Sequence, residues 1–150
     1  MRSVSIWVEF LMYISFILAA ISITLYAASE HVEANKTKLI IEQIINTLLN
    51  LEYSIENVYS CYECIEKITI VLPKNSVIYF DNGMIYALFY SRYLYNKTTE
   101  LVNISIEEKN NLYLYNISVQ TKPFVGNFNG QGEICILMNK SINILNITRC

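Results

Sequence analysis

From Ile6 to Ala28 the chain reads IWVEFLMYISFILAAISITLYAA, an apolar run whose only charge is Glu9. As a helix rising about 1.5 Å per residue it reaches roughly 35 Å, enough to cross a hydrocarbon core of about 30 Å. A secretory signal has a shorter apolar stretch and small residues at the −3 and −1 positions of its cut. Here Leu25 or Tyr26 would stand at −3 of a cut near Ala27-Ala28, so the helix is expected to be retained. Arg2 and the amino terminus precede the run, whereas Glu30 and Glu33 follow it. The positive-inside bias therefore puts the N-terminus in the cytoplasm and the chain beyond about residue 30 outside.

No proline or glycine interrupts residues 3–72, and helical periodicity continues past the apolar run. Ile41, Ile44, Ile45, Leu48, Leu51, Ile55 and Val58 recur at i, i+3, i+4 and i+7, while Lys38, Glu42, Asn46, Glu52 and Glu56 fall largely on other faces. The pattern predicts a helix over 5–60: a membrane or core segment at 5–28 and an amphipathic part at 29–60. After Cys64 the period changes. Lys67–Leu72, Ser76–Phe80, Met84–Tyr90, Glu100–Glu107, Leu112–Gln120, Glu133–Met138 and Ser141–Thr148 are strand candidates. Asp81-Asn82-Gly83 marks a tight hairpin, and Asn110-Asn111 and Asn139-Lys140 are expected to make short turns. Residues 126–132 are read as a glycine loop. The fold class is thus α+β: a long N-terminal apolar helix, then an antiparallel β-sheet or small β-sandwich over 61–150 that covers the stripe of the distal helix.

Composition narrows the function. Charged residues make up only 16% of the chain and the net charge is −2, which leaves no basic stripe for nucleic acid. His31 and Asp81 are the sole histidine and aspartate, and neither lies near a nucleophile motif. One histidine cannot build a mixed nitrogen–sulfur metal site. The 126–132 loop lacks the Lys-Ser or Lys-Thr of a phosphate cradle. No enzyme and no metal or organic cofactor is expected.

Asn-x-Ser/Thr occurs at Asn35, Asn96, Asn103, Asn116, Asn139 and Asn146, all beyond the apolar run. The asparagine, serine and threonine content predicts only about two such sequons by chance, so the excess points to N-linked glycans on an external surface. Asn103 and Asn116 fall within predicted strands; their side chains should face solvent, or the sites are unused. Cys61, Cys64, Cys135 and Cys150 lie on the same side of the membrane and read as two disulfides. Bridges from Cys61 and Cys64 to Cys135 and Cys150 would staple the helix end to the last strands; spacing leaves the pairing open. The tyrosines at 86, 90, 93, 95, 113 and 115 fit half-buried strand positions better than an adhesive surface.

Glu9 has two readings. It snorkels to the cytoplasmic interface, or it pairs with a positive group on a neighbouring copy. Ser5-Ile6-Trp7-Val8-Glu9-Phe10-Leu11, the helix to Ala28 and the all-β remainder resemble an archaeal type IV pilin-like subunit with a class III signal peptide. The resemblance implies a short leader at 1–4, cut beside Ser3 and Val4 by a prepilin peptidase-like enzyme. It also implies helices bundled with copies of themselves after a stage in the membrane. An outer β layer would be glycosylated by an oligosaccharyltransferase, and Glu9 would meet a neighbour's new amino terminus. Arg2 is followed by Ser3 where that family usually has Gly or Ala, and a cut after Ser3 makes Glu9 the sixth mature residue. The expected function is a surface filament subunit for adhesion; the alternative is a single-span, membrane-anchored binding or accessory protein.

Overall fold

The computed structural model describes residues 2–96 and 99–150, with side chains from Ile6 onward. Met1 and the side chains of Ser3 and Val4, where the leader cut is expected, lie outside that description. The chain divides into two units, the first ending at Lys36 and the second spanning Thr37–Cys150. The first helix, α1 (Arg2–Ser60), contributes to both.

In the first unit α1 is exposed from Ile6 to Lys36 and is long and apolar enough to cross a membrane. Four of its serine and threonine hydroxyls bond back to the helix itself. Ser15 donates to the Met12 carbonyl (2.9 Å), Ser22 to Leu18 (2.8 Å), Thr24 to Ala20 (2.8 Å) and Ser29 to Tyr26 (2.7 Å). Such back-bonding lets polar residues sit in an apolar helix without an unpaired donor. Lys36 and Glu33 pair at 2.8 Å near its end.

The second unit begins with the amphipathic part of α1. Ile41, Ile44, Ile45, Leu48, Leu51, Ile55 and Val58 are all buried, so the sequence stripe is the helix's core face. Among the described residues eight strands follow: β1 (Glu63–Val71), β2 (Ser76–Asp81), β3 (Met84–Ser91), β4 (Asn103–Lys109), β5 (Leu112–Gln120), β6 (Asn127–Gly130), β7 (Glu133–Ser141) and β8 (Ile144–Arg149). They form a three-stranded sheet, β1-β7-β8, and a five-stranded sheet, β4-β5-β3-β2-β6, with every pairing between named strands antiparallel. Alternation places Ile78, Phe80, Ile85, Ala87, Tyr115, Ile117, Ile134, Ile136, Leu145 and Ile147 in one core with the helix stripe. The fold is α+β, with a long apolar helix followed by two antiparallel sheets.

The turns follow backbone chemistry. Asn82 and Gly83 (φ 39° and 96°) close β2–β3, and Asn110 and Asn111 (φ 54° and 58°) close β4–β5. Two expectations fail. Asn139-Lys140 is not a turn: both residues lie in β7, opposite Asn146 and Leu145, and the chain reverses after Ser141 with Ile142 at φ 41°. Lys140 is buried, its Nζ donating to the Tyr59 carbonyl at 2.9 Å and lying 3.9 Å from the Tyr59 ring centroid. The last turn of α1 carries no basic residue, so this lysine from β7 meets the partial negative charge at the helix end. Residues 126–132 are not simply a loop either, because β6 pairs with β2 there. Phe128 stacks on Phe80 at 4.3 Å between ring centroids, which gives the short strand its apolar anchor. A Cβ at Gly126 would collide with the Ile147 carbonyl, so the backbone needs glycine where it reaches β8.

Candidate functional site

Three features carry the functional expectations: the exposed end of α1, the cysteines and the sequons. Glu9 lies exposed on α1 between the exposed apolar residues Val8 and Phe10, and no described side chain forms an ion pair with it. Ser15, Ser22 and Thr24 of the same segment bond to carbonyls of their own helix. Glu9 is the sole charged residue of the run from Ile6 to Ala28.

The cysteines form two disulfides, but not the expected staples. Cys61 pairs with Cys64 across the corner between α1 and β1, with Cα atoms 6.0 Å apart. Cys135 pairs with Cys150 at 5.3 Å, and the Cys150 amide also donates to the Cys135 carbonyl at 3.1 Å. Register is the reason. Cys150 follows β8 directly beyond the Arg149–Ile136 pair, which brings it opposite Cys135, whereas the β1 residue facing Cys135 is Thr69. Each bridge is local, and both lie within the second unit.

The sequons fall into three groups. Asn35 is exposed on α1, but the Thr37 of its motif is buried and its hydroxyl lies 2.7 Å from that of Ser91. Asn96 is exposed in the segment after β3, while Thr98 of its motif lies outside the described residues. The remaining four are on strands, all on outward-facing positions. Asn103 and Asn139 are exposed; Asn116 and Asn146 are half-buried. Asn139 stands directly opposite Asn146. The motifs at Asn103 and Asn116 run antiparallel to each other, with Asn103 opposite Ser118 and Ser105 opposite Asn116.

Tyr115, one of the strand tyrosines, is fully buried rather than half-buried. Its hydroxyl donates to the Tyr93 carbonyl (2.9 Å) and accepts from the Tyr95 amide (2.6 Å), clamping the segment that presents Asn96. Burial raises its pKa above the usual tyrosine value; the Tyr95 amide opposes this and nearby Tyr113 adds to it. On the outer face of the same sheet Tyr79 and Tyr86 stack at 4.9 Å. Neither the buried lysine at 140 nor this tyrosine clamp is signalled by local sequence, because both depend on contacts between distant segments.

Among the described residues no group of three His, Cys, Asp or Glu side chains is placed to hold a metal ion. No protein-family model matches the chain, and no curated protein or solved structure matches it.

Proposed function

We propose that the chain is a structural, non-enzymatic subunit of a type IV pilus-like surface filament of the archaeal kind. In this reading the segment of α1 up to about Ala28 packs with copies of itself in the filament core. The β-rich unit forms an outer, N-glycosylated layer that serves adhesion. The observation that carries it is the apolar helix surface between Ile6 and Ala28, exposed among the described residues, whose sole charged residue is Glu9. An intramembrane or bundle-buried carboxylate is costly without a partner. A cut beside Ser3 and Val4 by a prepilin peptidase-like enzyme would supply that partner as the neighbour's new α-amino group. Two disulfides in the β-rich unit support a location in an oxidising environment outside the cell.

A second reading is a single-span anchored binding or accessory protein that does not polymerise. It is favoured by the intrahelical bonds of Ser15, Ser22, Thr24 and Ser29, which let α1 rest in lipid with no helix partner. Shearing cells and sequencing the protein's amino terminus by mass spectrometry separates the two. A mature start near Val4 in the sheared filamentous fraction is the expected result. An intact Met1 in protein confined to the membrane pellet overturns the filament reading and favours the anchor.

A further inference from the structure

Four sequons lie on strands, and strand pairing decides which asparagines can stand side by side. Asn139 of β7 and Asn146 of β8 are direct cross-strand partners, so their Cβ atoms lie about 4.5–5.5 Å apart on one face. That spacing cannot seat two glycan stems, each beginning with a pyranose ring and its hydroxyls. Asn103 and Asn116 are diagonal neighbours across β4–β5, about 7–8 Å apart, with Ser105 and Ser118 completing the square. In each pair the members differ in exposure.

Asn103 sits on β4, the edge of the five-stranded sheet, with β5 as its one neighbour among the described strands. Asn116 is flanked on both sides, by Ser105 and by Leu88 of β3, and its Oδ1 is enclosed without a hydrogen-bond partner. Asn146 is likewise hemmed in, by Asn139 on one side and by Val125, which bridges to it, on the other. Open depressions adjoin the two exposed members. One lies beside Asn103, with Thr99, Glu100 and Gln120 in its wall; another lies beside Asn139, with Glu63 and Ser141. Both offer polar groups to the first sugar of a glycan.

We infer that the four strand-borne sequons act as two cross-strand pairs, each taking one N-linked glycan, on Asn103 in the first and on Asn139 in the second. The donor is a lipid-phosphate-linked oligosaccharide. In the transfer the bond between the sugar C1 and the phosphate oxygen breaks with its electron pair staying on the lipid phosphate, which leaves; a bond from C1 to the asparagine Nδ2 forms, and the amide proton released passes to solvent. This rests on the proposed external, glycosylated location of the β-rich unit. It adds a rule for which acceptors are filled.

The test uses full-length protein from its own cells, reduced and digested with trypsin and a glutamate-specific protease. Cuts at Lys109, Glu133 and Lys140 place the four sequons on separate peptides. Mass spectrometry should find the Asn103 and Asn139 peptides glycosylated, and the Asn116 and Asn146 peptides bare. Intact mass should fall by one glycan in Asn103→Gln and in Asn139→Gln, and should lose no glycan in Asn116→Gln or Asn146→Gln. Glycan on Asn116 or Asn146 overturns the pairing rule. So does a bare Asn103 and Asn139 in protein glycosylated at Asn35 or Asn96, which leaves the external location standing. Bare peptides at all six sequons overturn the rule and the glycosylated surface together.

Discussion

Tyr115 joins core packing to a polar clamp: its ring is fully buried, and its hydroxyl serves both Tyr93 and Tyr95. Removing that oxygen leaves a part-buried carbonyl and amide without their protein partner, and because water reaches part-buried groups the two losses together cost about 1–3 kcal/mol. Tyr115→Phe should therefore lower the unfolding free energy by about 1–3 kcal/mol at pH 8, read from denaturant midpoints. The effect should change with pH in a defined direction. The tyrosine pKa is higher in the folded chain than in the unfolded one. The neutral hydroxyl's contribution is thus complete below the ordinary tyrosine value of about 10 and is lost as pH rises through the folded value. The stability gap between wild type and Tyr115→Phe should narrow above about pH 10; a gap constant from pH 8 to 11 would show that the clamp carries no such linkage. Ile142 illustrates the opposite case at this scale. A β-branched residue at φ 41° is unfavourable, yet the turn falls there because Lys140 must stay in β7 to reach Tyr59.

Among the elements, the two disulfides differ in how much chain they close. Cys135–Cys150 spans a separation of 15 residues and ties the carboxy-terminal residue to β7; Cys61–Cys64 spans 3 and fixes only the corner after α1. Loop-closure entropy gives about 3 kcal/mol for the longer loop and less for the shorter one. The double variant Cys135→Ser/Cys150→Ser should thus melt well below Cys61→Ser/Cys64→Ser, a ranking that scanning calorimetry reads directly. Equal losses would mean that the corner disulfide acts by some route other than loop length. The elements also show where sequence reasoning reaches its limit. The α1 stripe was legible to the residue, since helical periodicity reports burial, and the Asn82-Gly83 and Asn110-Asn111 turns were legible from backbone chemistry. The cysteine partners and the sequon pairs were not, because both are properties of register. β6 escaped because its glycine and two asparagines carry no strand signal; its place is fixed by Phe128 on Phe80 and by the room that Gly130 leaves for Ile134. Asn139-Lys140 misled for a related reason: turn-forming residues occupy a central strand where a distant helix end requires a cation.

At the scale of the whole molecule the core and the apolar segment are separable in composition. Among the described residues every buried hydrophobic lies between Ile41 and Ile147, and both disulfides fall in the same unit. The described hydrophobic residues before Thr37 are exposed. Folding stability should therefore reside in the second unit, while residues 6–36, in the proposed reading, supply the surface for lipid or other helices. A fragment beginning at Glu33 tests this division. It keeps the Glu33–Lys36 pair and one helical turn ahead of Thr37, and its acidic first residue suits a helix N-terminus. Produced under oxidising conditions, it should be soluble without detergent, show the far-UV signature of mixed helix and sheet, and unfold cooperatively. Its unfolding free energy should fall in the range of about 5–15 kcal/mol usual for a domain of this size. It should neither sediment with vesicles nor form filaments, whereas the full chain should do one or the other. A fragment that aggregates or melts without cooperativity would mean that the apolar segment is needed for the β-rich unit to fold. The proposed separation of a folded outer unit from an assembling helix would then fail, and with it the physical basis for assigning surface and assembly to different parts of the chain.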